Sequence, residues 1–319
     1  TTTAPPTTTT VAAPPVTEPP APAAPTVTEP PAPATAPPPT TAPATTAAAA
    51  LPKVLVSPRG VVVPVVGREG DRYQVSTPCG KVALLGSGTP VDQATVVLDA
   101  GHGGAEPGAV GPTGLAERDV NLAVVDHARA ALEAAGVRTV RTRTADYRMT
   151  LGARAKVATA LHPKAFVSVH HNAEPDGPHA GPGSETYYQV ASPDSRRLAG
   201  LVYEEVVRAL SAYRLDWVGD TDAGAKYRRN DSGGDYYGIL RLTSGVPATL
   251  AELAFVSNPA EAALISQADV QRVEGEAVAR GILRFLRSAD PGSGFTEPYP
   301  RTSPAGGGGG SSGCVDPSL

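Results

Sequence analysis

Cysteine is scarce in this chain, and surplus positive charge and long apolar runs are missing from it. Two cysteines, Cys79 and Cys314, occur in 319 residues, which limits the chain to one internal disulfide. In an oxidising compartment that bridge would tie the end of the chain to its body. Two free thiols, or a bond between chains, are the other readings of the same pair. The formal net charge is −4, with no basic stripe and no alternation of basic and aromatic residues, which argues against nucleic acid as a partner. No apolar run approaches the length of a bilayer span, so no transmembrane anchor is expected. The first fifty residues contain no Lys, Arg, aromatic or Gly. Built from Thr, Ala, Pro, Val and Glu, they bury too little surface to offset the entropy of ordering, and proline removes backbone donors.

Residues 1–52 therefore read as a solvated stalk. The chain begins at Thr1 without Met. A Thr/Pro-rich stretch suits a position just after a removed signal peptide, and a fragment is the other reading. The expected location is secreted, in the cell envelope or a periplasm-like space, and a monomer is expected. At the other end, 290–319 is rich in Gly, Ser and Pro, with five glycines in a row from Gly306 to Gly310, and reads as a flexible tail. Between the two lie 53–93 and 94–289. In the first, Val-rich runs broken by Gly and Pro give a small β-rich segment. In the second, strand-like and helix-like stretches alternate. Thr95–Asp99 is an apolar strand run, and Val120, Val124, Ala128, Ala131, Leu132 and Ala135 recur at helical spacing. Further strand-like runs fall at 137–143, 165–170, 183–190 and 247–253, with helical patterns at 151–161, 192–213 and 269–287. The alternation predicts an α/β domain with helices on both faces of one sheet. Ligands of such sheets sit beyond the carboxyl ends of the strands.

Metal-type and acid/base side chains fall at those ends. His102 follows the first strand in a Gly-rich turn, Glu117 opens the next helix, and His170 ends the strand Phe166–Val169. Two His and one carboxylate form the ligand set of many hydrolytic zinc sites, which keep a fourth position open for water. Glu252 lies inside the apolar run Ala248–Leu253, where a charge is costly unless paired or functional. Beside an activated water it can serve as general base. Each signal has a plainer reading: a structural His at a strand end, an acid favoured by a helix dipole, or a Glu252 paired with an Arg such as Arg241. Their shared placement at ends that can converge favours the functional reading.

The segments Val97–Gly104, Gly114–Glu117, Phe166–Ala173 and Leu250–Asn258 resemble the motifs of the zinc-dependent N-acetylmuramoyl-L-alanine amidases. They come in the family's order over about 96–286, with 15, 53 and 82 positions from each site to the next. The resemblance implies one catalytic domain with a mixed, mostly parallel sheet flanked by helices. It implies zinc on His102, Glu117 and His170, with Glu252 as catalytic acid/base. It also implies cleavage of the amide that joins the lactyl group of N-acetylmuramic acid to L-alanine in peptidoglycan or muropeptides. His171 follows the third ligand where the family often has a small residue. Adjacent strand residues point to opposite faces, so His170 is taken as the ligand, with His171 left as a substrate contact. Asn172 is either a further contact or orders the loop.

The polar stretch from Gly219 to Gly238 carries Lys226, Arg228, Arg229, Asn230, Asp231, Asp235, Tyr236 and Tyr237. Arg228 and Arg229 can recruit stem-peptide carboxylates and the tyrosines can stack on sugar or peptide; the plainer reading is a solvated loop. His127, His162 and His179 read as packing or surface residues. Arg148 and Arg154 read as partners of surface acids near Asp146. Two rivals to the amidase reading are a zinc peptidase cutting within the stem peptide and a non-catalytic wall-binding module. The second has no use for an open metal position or for Glu252.

Overall fold

The computed structural model describes residues 50–298 and 310–319, so the expected stalk lies almost wholly outside the described residues. Strands β1 (Val54–Val56), β2 (Val62–Glu69), β3 (Arg72–Ser76), β4 (Val82–Leu85) and β5 (Thr89–Val91) form an antiparallel sheet in the order β4-β3-β2-β1-β5. The main domain follows as β6 (Val96–Ala100), α1 (Glu117–Ala134), β7 (Thr139–Arg141), α2 (Leu151–Leu161) and β8 (Ala165–Asn172). It continues with β9 (Gly177–Pro178), β10 (Glu185–Tyr188), α3 (Pro193–Leu210), β11 (Val218–Gly219) and β12 (Gly224–Lys226). Helix α4 (Gly238–Leu242), strand β13 (Ala248–Phe255) and helices α5 (Pro259–Ile265) and α6 (Ala268–Arg287) complete it.

The main sheet runs β12-β10-β13-β8-β6-β7. Its pairs are parallel except β10 with β13, which is antiparallel. The sheet is therefore mixed and mostly parallel. Strand periodicity divides its side chains between two cores. On one face Val96, Leu98, Val167, Val169, Ala251 and Leu253 pack with α1, α3 and α6. On the other, Val97, Phe166, Ala248, Leu250 and Tyr187 pack with α2, α4 and the five-stranded sheet. The β-rich segment is thus a wall of the second core, joined to it through Val54, Leu55, Val62 and Val63.

Local chemistry sets the helix ends. Thr150 caps α2 by accepting the Ala153 N–H at 3.2 Å, and α2 closes on His162 in a left-handed conformation. Ser192 caps α3 ahead of Pro193, and Asn258 caps α5 ahead of Pro259. The strand expected at 137–143 shrinks to Thr139–Arg141, because Thr142 and Arg143 turn their side chains inward to polar partners. Short strands β5, β11 and β12 carry too few alternating residues to register as a pattern.

The flexible tail expected over 290–319 is corrected in both of its described parts. Phe295 bridges Ala225 on β12, meets Tyr188 edge-on at 6.3 Å and lies under the Arg196 guanidinium at 3.5 Å. Cys314 forms the disulfide with Cys79, with a Cα separation of 5.6 Å, and Leu319 packs on the second core. Composition predicted mobility because Gly and Pro dominate. Three anchoring side chains decide the outcome instead.

Helices α1 and α6 pack tightly at Gly275, where an added Cβ would lie 2.6 Å from the Val124 carbonyl oxygen and 2.8 Å from the Ala128 nitrogen. Alanine gains about 1 kcal/mol in helix propensity, but overpacking against rigid backbone costs about 1–3 kcal/mol. Gly275→Ala is expected to lower the thermal midpoint by a few degrees. A raised midpoint would mean that the α1–α6 spacing is not set there.

Candidate active site

Three elements bring the ligand candidates to one point. The Glu117 carboxylate, at the first turn of α1, lies between two imidazoles: Oε2 is 3.1 Å from His102 Nε2 and Oε1 is 2.9 Å from His170 Nδ1. The ligating atoms of the three residues all lie within 4.8 Å of one another. Glu117 is buried, and burial pushes its carboxyl up. The hydrogen bonds and charges of His102 and His170 outweigh that and hold it well below the usual range. The Ala109 N–H donates to Oε2 at 2.9 Å, and the Asn121 amide donates to Oε1 at 3.1 Å. The same burial lowers the His170 pKa, against the pull of Glu117. A Cβ at Gly101 would collide with the His170 ring, and one at Gly108 with Glu117. Glycine there clears the space in which the three ligands meet.

Beneath the triad, two buried arginines hold the loop that carries His102. Arg154 donates to the carbonyls of Ala100 and His102, both at 2.6 Å, and to Asp99 Oδ1 at 2.7 Å. Arg143 donates to Ala100 O at 2.9 Å, Gly101 O at 3.0 Å and Arg118 O at 2.6 Å. Asp99 is fully buried. Burial raises its carboxyl, but the Arg154 charge and hydrogen bonds from Thr142 and Ser168 hold it below the ordinary value. These bonds retain His102 at φ 58°, a conformation that costs a non-glycine residue energy. The surface role expected for Arg154 is thereby corrected: its side chain is 3% exposed and its acid is Asp99.

One strand across from His170 stands Glu252, and one strand further stands Glu185; the register pairs Glu252 with both. Glu185 is neutralised by Lys226, which is fully buried and also pairs with Asp222, and it accepts from Asn172 at 2.9 Å and Tyr187 at 2.8 Å. Glu185, Asp220 and Asp222 form a second acidic cluster, with the Lys226 ammonium ion-paired into it. Glu252 is different. Its Oε2 is buried with no hydrogen-bond partner among the described residues. Burial first, then the charges of Glu117 and Glu185, push its carboxyl well above the usual range. The pairing with Arg241 that sequence left open is not formed; Arg241 donates to the carbonyls of Asp235 and Tyr236.

Of these groups, Asp99, His102, Arg154, His170 and Glu252 line a cleft of about 350 Å³, together with Arg228, Tyr236 and Tyr237. Arg228 lies 3.9 Å over the Tyr236 ring. Arg229 is exposed, turns to the Gly233 carbonyl at 3.0 Å and is not among the lining residues. His171 as a substrate contact is corrected. It is 1% exposed on the opposite face of β8, with Nδ1 2.8 Å from Asn121 and Nε2 3.4 Å from Glu274. The Asn172 amide is engaged at both ends, by Glu185 and the Ala173 N–H, and orders the loop. Lys226 likewise is buried rather than substrate-facing. His127 packs beside Gly275, while His162 and His179 are exposed. Asp99, Arg143 and Glu185 were missed in the sequence. A lone acid in each of the runs Val96–Ala100 and Glu185–Tyr188 is the same signal that marked Glu252.

With this geometry in place, comparison with known proteins gives a consistent result. Residues 96–284 match the N-acetylmuramoyl-L-alanine amidase family. The chain is 35% identical over 207 residues to the uncharacterized protein YqiI of Bacillus subtilis, covering 64% of this chain and 88% of that one. It is 31% identical over 200 residues to the N-acetylmuramoyl-L-alanine amidase LytC of the same organism, covering 62% of this chain but only 36% of LytC. The catalytic domain of CwlV, an N-acetylmuramoyl-L-alanine amidase from Bacillus (Paenibacillus) polymyxa, superposes with a TM-score of 0.51 at 31% identity, covering 60% of this chain and 97% of that domain. The chain belongs to the N-acetylmuramoyl-L-alanine amidase family of cell-wall hydrolases.

Proposed function

We propose that this chain hydrolyses the amide between the lactyl group of N-acetylmuramic acid and L-alanine, with His102, Glu117 and His170 holding zinc and Glu252 moving the proton. The observation that carries this reading is the contrast between two carboxylates at one site, Glu117 buried between its histidines and Glu252 lining the cleft beside His170. Glu117 is charged and pinned between two imidazoles, while Glu252 Oε2 has no hydrogen-bond partner among the described residues and the group is driven towards its protonated form. The donor set fits zinc: two neutral-capable imidazoles and one carboxylate within 4.8 Å, in a cradle cleared by glycine. Zinc held there supplies Lewis-acid charge for a scissile carbonyl and a water.

The chain's own groups account for the rest. Glu252 takes a proton from the attacking water and returns it to the departing L-alanine amine, and a raised carboxyl pKa suits that exchange near neutrality. Arg143 and Arg154 fix the His102 loop before substrate arrives, so little reorganisation is left to the reaction. Arg228, backed by Tyr236, offers a cation at the cleft wall to a stem-peptide carboxylate. The Cys79–Cys314 disulfide supports an oxidising, extracytoplasmic location, as does similarity to proteins named as probable cell wall amidases. Among the described residues no helix is long and apolar enough to cross a membrane.

Replacement of Glu252 by Gln is expected to leave zinc content intact and to reduce kcat by about 10²–10⁴-fold, whereas His102→Ala and His170→Ala lose zinc and turnover together. Metal analysis beside single-substrate kinetics separates these cases, and near-normal turnover in Glu252→Gln would remove the assignment. Arg228→Ala should raise KM about tenfold, the value of one charge-assisted hydrogen bond, with kcat little changed. Arg229→Ala should stay within about twofold; equal effects from both would deny Arg228 its special place.

The metal-free protein carries a pH signature. The folded state holds the Glu252 proton more tightly than the unfolded chain, so this group's contribution to stability is fully present below the ordinary carboxyl range. It is lost as pH rises towards the raised folded value. Metal-free Glu252→Gln should therefore melt above the parent at pH 8, with the gap shrinking as pH falls to about 4. A gap that does not depend on pH would contradict the raised carboxyl.

A further inference from the structure

One atom of the His102 ring is unused. Nε2 faces Glu117, but Nδ1 is buried without a hydrogen-bond partner among the described residues. The acid facing it is Glu106, whose Oε1 lies 3.9 Å away. A tight turn, with Gly103 N–H to Glu106 O at 2.9 Å and Glu106 N–H to Gly103 O at 3.1 Å, brings Glu106 back beside the histidine. The other Glu106 oxygen lies 3.3 Å from Arg148 Nε. The remaining guanidinium nitrogens of Arg148 donate to the carbonyls of Ser312 at 2.6 Å and Gly310 at 2.9 Å. Those carbonyls belong to the terminal strap, which is fixed by the Cys79–Cys314 disulfide and by Asp316 accepting the Cys79 N–H at 2.8 Å.

We propose that Glu106 and Arg148 are positioning residues that connect the disulfide-held strap to His102. Glu106 is the acceptor for the His102 Nδ1 proton, and Arg148, clamped by the strap carbonyls, holds Glu106 in place. At 3.9 Å the contact is longer than a hydrogen bond. An imidazole that gives Nε2 to a cation has its proton confined to Nδ1 and carries more positive charge there, which draws the carboxylate in. Such a bond fixes the ring and raises its basicity as a ligand. Glu106 lines the same cleft, but its role here, like that of Arg148, is exerted through His102. The described strap from Gly310 then has a role: two of its backbone carbonyls hold the arginine that reaches Glu106.

This inference rests on zinc at His102, Glu117 and His170, and the experiment separates the two claims. Zinc affinity is measured on the full chain, stripped of metal, by competition with a chromophoric chelator, together with the thermal midpoint of the metal-free protein. Glu106→Ala and Glu106→Gln should bind zinc about 10- to 100-fold more weakly, the usual cost of removing such a partner, with the metal-free midpoint little changed. Arg148→Met, which leaves the disulfide intact, and the paired change Cys79→Ser with Cys314→Ser should weaken zinc in the same direction by less. On the Glu106→Ala background neither should weaken it further, because the connection is already cut. Parent-like zinc affinity in Glu106→Ala, or losses that simply multiply in the combined variants, would overturn the proposal. Failure of the parent protein to bind zinc at all would instead overturn the ligand assignment.

Discussion

The site depends on how negative charge is held in a space with little water. Asp99, Glu117, Glu185 and Glu252 all lie at the ends of neighbouring strands or at the start of α1, and burying a carboxylate is costly unless something answers it. Three are answered: Asp99 by Arg154, Glu117 by two imidazoles, and Glu185 by Lys226. Glu252 Oε2 has no hydrogen-bond partner among the described residues, and burial first, then the charges of Glu117 and Glu185, push its carboxyl towards the neutral form. Structural acids are neutralised by fixed partners. The acid that must exchange a proton is not, and the difference in environment assigns the roles.

Around this charge arrangement the fold performs a sorting task. Strand alternation sends the even-numbered residues of β8, Phe166, Ser168 and His170, to one face, while Val167, Val169 and His171 enter the core beneath α1 and α6. The cleft thus receives His170 and not His171, although the two are adjacent. The buried Arg143 and Arg154 perform a second task. Through five hydrogen bonds to the carbonyls of Ala100, Gly101, His102 and Arg118, they convert a glycine-rich turn into a fixed mount for His102.

Much of this was legible in the sequence, for definite reasons. The ligand and general-base candidates sit at strand ends and a helix start, and those boundaries follow from apolar periodicity, which the structure reproduces closely at α2 and α6. What was not legible depends on contacts between distant segments. Nothing local distinguishes Arg154, which is buried, from Arg129, which is surface-exposed in part and pairs along its own helix. The Cys79–Cys314 bridge spans 235 residues, and composition alone favoured a mobile tail. Arg228 and Arg229 are neighbours of the same type, and only the loop's path turns the first to the cleft and the second to Gly233. Sequence located the chemistry, and the long-range pairs decided which candidates take part in it.

The most direct test is mass spectrometry of the soluble products after the purified protein is incubated with muropeptides, with and without a metal chelator. The account expects intact stem peptides carrying a new L-alanine amino terminus, and their loss when the chelator is present. Cuts inside the stem peptide, or release of the same products unaffected by thorough metal removal, would contradict it.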